Sequence, residues 1–157
     1  MMLENHVALV TGAGRGIGKA IALALADEGA FVVVNYNGSE ARAMETVSQI
    51  QEKGGRAEAI RCNVADFAAC REMVEGIISH HGRLDILVNN AGITRDNLLM
   101  KMSEEEFDAV IDTNLKGAFN CMKHISRQMI KQRSGRIINI SSVSGVAGNA
   151  GQANYSA

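Results

Sequence analysis

The chain has 157 residues, of which 46% are hydrophobic and 21% are charged, and its net charge is −1. This length suffices for one domain with a buried core, and the near-neutral charge lacks the basic excess of a nucleic-acid-binding protein. No apolar run approaches the roughly 20 residues of a membrane span, and the amino terminus lacks the basic and apolar regions of a signal peptide. We therefore expect a cytoplasmic protein with neither a nucleic acid nor a membrane as its partner.

The cysteines and histidines give no pattern that indicates a metal site. The three cysteines are odd in number and form no CxxC pair, so we expect reduced thiols. None of the four histidines has ligand spacing to a cysteine, so no metal is expected. The cysteines are Cys62, Cys70 and Cys121, and the histidines are His6, His80, His81 and His124.

Apolar periodicity alternates between strand-like and helix-like spacing through the first 89 residues. The run "HVALVT" is typical of a strand, whereas the apolar positions 17, 20, 21, 24 and 25 have helical spacing. The predicted elements are a strand at 6–11, a helix from 17 to about 28, a strand at 30–36, a helix over roughly 39–53, a strand at 57–63, a helix after Asp66 that ends at Gly82, and a strand at 84–89.

The second half begins with a helix signal. "SEEE" is a capping box, in which Ser103 can accept from first-turn N–H groups and Glu106 can reach back. One long helix or two in sequence are predicted from there to about Gln132, and a fifth strand at 136–141, before a Gly- and Ser-rich remainder. Five strands alternating with helices predict an α/β fold, a Rossmann-type doubly wound parallel sheet in one domain over 1–157.

A glycine-rich loop connects the first strand to the first helix. "TGAGRGIG" at 11–18 places glycines at 12, 14, 16 and 18. Glycines permit a tight turn and close approach of a diphosphate, and the helix amino end supplies free N–H donors. A Walker-type loop is disfavoured because Ala20 stands where Ser or Thr would follow the lysine. The loop therefore predicts a dinucleotide site.

The end of the second strand indicates which dinucleotide is bound. Asn35, Tyr36 and Asn37 are uncharged there, whereas a carboxylate at this point would hydrogen-bond the ribose and repel a 2′-phosphate. Arg15 in the glycine loop offers a cation to the same area. These residues favour NADP(H) over NAD.

Several spacings together resemble the short-chain dehydrogenase/reductase family over essentially the whole chain. "TGAGRGIG" is similar to that family's TGxxxGxG, and Tyr155 matches the tyrosine of its YxxxK motif. Tyr155 also follows Ser142 by thirteen residues, as in the family pattern. The segments "GITRDNLLMKM" and "GNAGQANYSA" look like the bacterial-type 3-oxoacyl-acyl-carrier-protein reductases within the family. Acetoacetyl-CoA reductases share much of this pattern and are the alternative. Further matching motifs are "CNVAD" (62–66), "NNAG" (89–92), "NLKG" (114–117) and "ISS" (140–142).

The resemblance implies a role for each matching residue. A tyrosine can deliver a proton to the oxygen that gains negative charge in ketone reduction, and a serine hydroxyl can hydrogen-bond that oxygen. The implied catalytic residues are Asn114, which kinks its helix and holds a water, Ser142 and Tyr155. The implied cofactor-binding residues are Gly12, Gly14, Arg15, Gly16, Ile17 and Gly18 at the phosphates, Asn37 beside the ribose, Asn63 and Val64 at the adenine, and Asn90, Ala91, Gly92 and Tyr155 towards the nicotinamide.

The resemblance also implies partners. The substrate thioester is expected on acyl carrier protein, and the family is usually a homotetramer with the helical region 103–132 at one interface. Lys131 and Arg133 form a basic cluster near the fifth strand, and we expect them beside the opening of the site, where they would attract an acidic carrier protein.

One family feature has no counterpart in these 157 residues. The lysine of YxxxK would fall at position 159, and the family fold has later strands and helices. We therefore expect the sequence to be a piece of a longer protein. The alternative of another class is a cofactor-binding half-module without turnover.

Overall fold

Five parallel strands form a single sheet. The structure is a computed structural model that describes all residues, 1–157. The strand order is β3-β2-β1-β4-β5, which confirms the predicted α/β fold. The strands are β1 Val7–Val10, β2 Phe31–Tyr36, β3 Arg56–Arg61, β4 Ile86–Asn89 and β5 Arg136–Asn139.

The helices cover both faces of this sheet. They are α1 Gly16–Asp27, α2 Glu40–Glu52, α3 Phe67–His81, α4 Glu104–Val110, α5 Gly117–Gln132, α6 Ser144–Ala147 and α7 Ala153–Ser156. A π-helical segment, Ile111–Lys116, joins α4 to α5, so the long helix predicted after residue 103 is one helical stretch with a π turn inside it. The short helices α6 and α7 were not predicted. None of the helices combines the length and the apolar composition that crossing a membrane would need.

Two apolar layers hold the sheet between the helices. Ala8 and Val10 of β1 pack with α1 and α2, whereas Leu9 packs on the other face with α3 and α5. Because helices bury both faces, neighbouring residues of β1 are all apolar and all buried. This is why the central strands lack polar alternation in the sequence.

The predicted helix ends are confirmed at two caps. Ser103 Oγ accepts from the Glu106 N–H at 3.1 Å, and Glu106 Oε2 accepts from the Ser103 N–H at 2.9 Å. Gly82 ends α3 with φ of +74°, a conformation in which a Cβ would be strained. The capping box therefore fixes where the helical stretch that leads to Asn114 begins.

β5 forms an exposed edge of the sheet. It pairs only with β4, and the side chains of Ile137 and Ile138 are 40% and 45% exposed.

Asp85 ties the amino ends of three strands. Its Oδ2 accepts a hydrogen bond from the Val7 N–H at 2.9 Å, and Arg83 donates to both carboxylate oxygens at 2.8 Å. The Asp85 carbonyl accepts from the Arg136 N–H at the start of β5. Burial raises the pKa of Asp85, but the bonds from Arg83 and Val7 outweigh it and hold the pKa below its usual value.

We expect Asp85→Asn to lower the free energy of unfolding by about 2 kcal/mol at neutral pH, because a charged acceptor of buried bonds is lost. Since the folded-state pKa is lowered, this contribution is present above the unfolded-state pKa of about 4 and is lost as the pH falls through the folded-state pKa. Urea unfolding should show a constant gap between parent and variant from about pH 8 to 5, and a shrinking gap below about 4.

The matched control is Asp27→Asn, since Asp27 pairs with Lys53 on the surface with both side chains more than half exposed. An exposed pair contributes little, so this variant should match the parent at every pH. If the difference in free energy of unfolding between the parent and Asp85→Asn stayed the same down to about pH 3, the charge of Asp85 would not be the source of the stabilisation.

Candidate functional site

A cleft of about 790 Å³ opens at the carboxyl ends of the central strands. Open parallel sheets place their ligands at this end. The predicted site residues that line it are Arg15, Ile17, Val64, Asn90, Ala91, Gly92, Asn114, Ser142 and Tyr155. The structure thus brings most of the predicted residues around one space.

The glycine loop packs closely against the residues that follow β4 at two of its glycines, Gly12 and Gly18. Gly12 and Gly16 have φ of +62° and +55°, and a Cβ on Gly12 would lie 2.9 Å from the Cα of Ala91. A Cβ on Gly18 would overlap the side chain of Asn90 and the carbonyl of Gly12. No side chain caps the amino end of α1, so its first-turn N–H groups stay open to an anion. This cradle fits a dinucleotide diphosphate.

Thr11 connects this loop to β4, a role that the sequence did not indicate. Its Oγ1 accepts from the N–H groups of Asn90 and Ala91 at 3.0 and 2.9 Å. In return, Asn90 Nδ2 donates to the carbonyls of Thr11 and Gly12 at 3.0 and 3.2 Å. The Asn90 side chain therefore holds the shape of the glycine loop. The only sequence signal for the role of Thr11 was its place as a polar residue at the end of the first strand, just before the glycines.

Asn35 braces the loop from its other side. Its buried side chain accepts from the Gly12 N–H at 3.2 Å and donates to the Cys62 carbonyl at 3.1 Å. Asn37, two residues on, is exposed, and its carbonyl accepts from Arg61 Nε at 3.2 Å. Of the three uncharged residues at the end of β2, only Asn37 is exposed to solvent.

Two further cations lie near the predicted ribose end. Arg42, in the first turn of α2, lies beside the glycine loop: its Cβ is 3.4 Å from the place that a Cβ on Gly14 would occupy. Arg61 donates a hydrogen bond to the carbonyl of Asn37. Arg15 in the loop is exposed. The sequence argument had identified Arg15 alone, because Arg42 and Arg61 come close only through the fold.

The two residues predicted at the adenine differ in burial and in their relation to the cleft. Val64 is buried in the cleft wall, and its carbonyl accepts from Asn120 Nδ2 at 2.8 Å. Asn63 is exposed, lies outside the cleft lining, and accepts from the Ala65 N–H at 3.0 Å. Gly117 packs directly against Val64, where a Cβ would clash with its side chain.

Asn114 lies in the π-helical segment and pairs with a loop across the cleft. Its Oδ1 accepts from the Ile93 N–H at 2.8 Å, and its Nδ2 donates to the Ile93 carbonyl at 2.9 Å. A π turn carries one extra residue in the helix and is frequent at functional sites. The Asn114 side chain thus fixes the loop after "NNAG" at the point where the helix bulges.

Ser142 and Tyr155 reach the cleft from the Gly- and Ser-rich segment. Ser142 follows β5, and its Oγ accepts from the Ser144 N–H at 3.2 Å as α6 begins. Tyr155 lies on α7, and both residues are partly buried in the cleft lining. The preceding residue, Asn154, is buried to 1% exposure and was not identified from the sequence.

Lys131 and Arg133 do not flank the cleft of their own chain, so that expectation is wrong. α5 runs antiparallel to the strands, and its 16 residues carry the chain about 24 Å away from the cleft. Gln132 bonds to Leu84 at the amino end of the sheet, which is where the two cations lie.

The three cysteines are buried free thiols beneath Val64. The hydrogen bond to Cys121, together with burial, raises the pKa of Cys70 to about 12, and contact with Cys70 and burial raise the pKa of Cys62 further. Thiols with such pKa values are poor nucleophiles at neutral pH. None of the three cysteines lines the cleft.

One histidine cluster lies away from the cleft. His81 Nε2 is 2.9 Å from Glu58 Oε1, and the His80 ring stands edge-on to that of His81. The ligand atoms of these three residues lie within 4.8 Å of one another. Because α3 is antiparallel to the strands, this cluster is at its far end, next to the start of β2, and takes no part in the cleft.

Comparisons with known proteins agree with this geometry. A 3-oxoacyl-[acyl-carrier-protein] reductase FabG from Staphylococcus aureus is 59% identical over 98% of the chain, and one from Thermotoga maritima is 48% identical over all of it. The chain spans about 63% of the length of these curated relatives. A crystal structure of a short chain dehydrogenase from Mycobacterium avium matches with a TM-score of 0.93 and 44% identity, covering 99% of this chain and 59% of that one.

The family assignment follows from these matches and from the site. The family model described as short chain dehydrogenase matches residues 6–157. The glycine cradle, the π turn at Asn114 and the cleft that holds Ser142 and Tyr155 occur in that same stretch. The chain belongs to the short-chain dehydrogenase family.

Proposed function

We propose that this chain carries the cofactor site and the proton donor of an NADPH-dependent reductase of 3-oxoacyl thioesters, with the substrate on acyl carrier protein, in fatty acid biosynthesis. The observation that supports it most is the convergence of Asn114, Ser142 and Tyr155 on one cleft with two residues of the glycine loop. These two residues are Arg15 and Ile17. The name of the Staphylococcus aureus relative, a 3-oxoacyl-[acyl-carrier-protein] reductase, supports this substrate class. An acetoacetyl-CoA reductase is the alternative.

The loop and its neighbours fit the proposed cofactor. Gly12 and Gly18 let the loop pack against Ala91 and Asn90, where a Cβ would clash, and the amino end of α1 offers N–H donors to a diphosphate. Arg15, Arg42 and Arg61 would attract a 2′-phosphate beside the uncharged Asn37. When bound, NADPH supplies the hydride that reduces the ketone.

The chain's own hydroxyl groups would handle the oxygen of the ketone. Negative charge develops on this oxygen as the carbonyl is reduced, and it must be stabilised and protonated. Tyr155 would donate the proton, and the Ser142 hydroxyl would hydrogen-bond the same oxygen. Asn114 would act at a distance by holding Ile93, since both polar groups of its side chain bond there.

Oxidation of NADPH in the presence of acetoacetyl thioesters tests the proposal. The protein should be assayed at its full natural length, with carrier-protein and CoA thioesters in parallel and with NADH as the competing cofactor. We expect NADPH-dependent turnover that is faster with the carrier-protein thioester. Turnover confined to the CoA thioester would favour the alternative, and a preference for NADH would contradict the cofactor assignment.

The 157-residue chain should be assayed beside it. Binding of NADPH without turnover would identify this stretch as a cofactor-binding module. Absence of both binding and turnover at full natural length would contradict the proposed function altogether.

A further inference from the structure

Asn154 is a buried residue, and both the nitrogen and the oxygen of its side-chain amide form hydrogen bonds. Its Nδ2 donates to the Arg95 carbonyl at 2.8 Å and to the Glu106 carbonyl at 3.1 Å. Its Oδ1 accepts from the Tyr155 N–H at 2.8 Å. At 1% exposure, this side chain has no water to replace any of these partners, so each bond matters for where the main chain lies.

The bonds of Asn154 complete a set of tethers on the loop at 93–97. Asn114 holds Ile93 at one end of this loop. At the other end, the Asn97 N–H donates to the Gly151 carbonyl at 2.9 Å, and Gln152 donates to Asp96 at 3.1 Å. The loop is therefore bonded to the π-helical segment at Ile93, and to the segment that bears Tyr155 at its later residues.

These tethers connect α7 to the rest of the fold. The helix, Ala153–Ser156, carries both Asn154 and Tyr155. The exposed tether through Gln152 competes with water, whereas the Asn154 bonds are sealed from it. The buried amide therefore constrains where α7, and with it Tyr155, lies relative to the cleft.

We propose that Asn154 is a positioning residue that sets Tyr155 against the substrate side of the cleft by joining α7 to the loop at 93–97 and to α4. Its effect on turnover rests on the proposed function, whereas the structural connection does not. Ile93, Thr94 and Arg95 line the cleft, so the same amide also sets the wall that faces a substrate.

Three substitutions separate positioning from packing. Asn154→Leu keeps the side-chain volume but leaves the carbonyls of Arg95 and Glu106 without their donor. Asn154→Asp keeps an acceptor for the Tyr155 N–H but places a carboxylate against the same two carbonyls. Asn154→Ser is milder, because its hydroxyl can serve one partner. We expect kcat at full natural length to fall in the order Asn, Ser, Leu, Asp, by about 10-fold to 100-fold, because misplacement of about 1 Å has effects of this size.

The dissociation constant for NADPH should stay within about threefold in all three variants, because the glycine loop is held by Thr11, Asn35 and Asn90 instead. The matched control is Asn149→Asp, since Asn149 is an exposed amide of the same segment that bonds only to Gln152. It should leave kcat within about twofold.

Amide hydrogen exchange gives a readout that does not depend on activity. The Asn97 N–H should exchange about 10-fold or more faster in Asn154→Leu, and at the parental rate in Asn149→Asp. Unchanged exchange at Asn97 would overturn the inference whatever the activity. Lost protection with unchanged kcat in Asn154→Ser and Asn154→Leu would overturn positioning.

The two proposals fail in different ways. If the parent has no reductase activity, the proposed function fails and the exchange experiment alone decides the connection. If the parent is active and the folded Asn154→Ser variant matches it in kcat, only the positioning role fails. Should the Leu and Asp variants not fold, the Ser variant still decides.

Discussion

Tyr155→Phe at full natural length is expected to lower kcat for a 3-oxoacyl thioester by about 10²-fold to 10⁴-fold. The substitution removes one oxygen and leaves the ring in the cleft lining, so the proton donor is lost without a large change of shape. Binding of NADPH should weaken by no more than about fivefold, because the glycine cradle and its cations are untouched. Steady-state kinetics and a fluorescence titration of NADPH measure the two effects separately.

The chain contains its own control for this experiment. Tyr36 is the other of its two tyrosines and ends β2 outside the cleft lining. Tyr36→Phe removes the same hydroxyl group and should leave kcat within about twofold. If Tyr155→Phe retained more than a tenth of the parental kcat, Ser142 or water would have to be the proton donor.

Asn37→Asp should reverse the cofactor preference. A carboxylate here, at the end of β2, can bond the ribose hydroxyls of NADH and repels the 2′-phosphate of NADPH. We expect the dissociation constant for NADPH to rise about 10-fold to 100-fold while that for NADH stays equal or falls, which corresponds to about 1.4–2.8 kcal/mol of discrimination. Titrations of both cofactors into parent and variant measure it.

Asn5→Asp is the matched control for this charge. Asn5 is also an exposed asparagine, but it precedes β1 at the opposite end of the sheet. A shared loss of NADPH affinity in both variants would mean that net charge, rather than a local 2′-phosphate contact, governs the preference. An unchanged preference in Asn37→Asp would contradict the placement of the ribose beside Asn37.

The strands and the glycine cradle could be predicted because their signals are local. The run "VALV" and the glycines that follow it define a strand, a turn and a helix start within a dozen residues. Strand ends moved by one or two residues, as at β4, which was predicted from residue 84 and begins at Ile86. Such shifts depend on neighbouring strands and not on the strand's own sequence.

The residues missed in the site act over long distances in the chain. Thr11 bonds residues almost eighty positions later, and Asn154 bonds a carbonyl 59 positions earlier. Periodicity carries no information on such pairs, since it reports only which face of an element is buried. The sequence predicted one long helix or two in sequence, and the family resemblance implied a kink at Asn114. The π turn itself was not predicted, nor was the bond from the Ile93 N–H to the Asn114 side chain.

The error over Lys131 and Arg133 has a geometric cause. These cations are near β5 in sequence, but near its start, whereas Ser142 follows its end. In a parallel sheet with antiparallel helices, the end of one helix and the end of the next strand lie on opposite sides of the domain. Proximity in sequence to a strand is therefore informative only when the direction of the strand is taken into account.

The position of Asp85 and its hydrogen bonds bear on which substitutions the protein can accept independently. Asp85 joins the strands at their amino ends, whereas the cradle, Ser142 and Tyr155 lie beyond their carboxyl ends. Substitutions at the first end can therefore alter heat tolerance without disturbing the second, because distant sites contribute nearly independently. Selection for a warmer habitat and selection for a different substrate would act on separate sets of positions, and an engineer could combine changes from the two ends in any order.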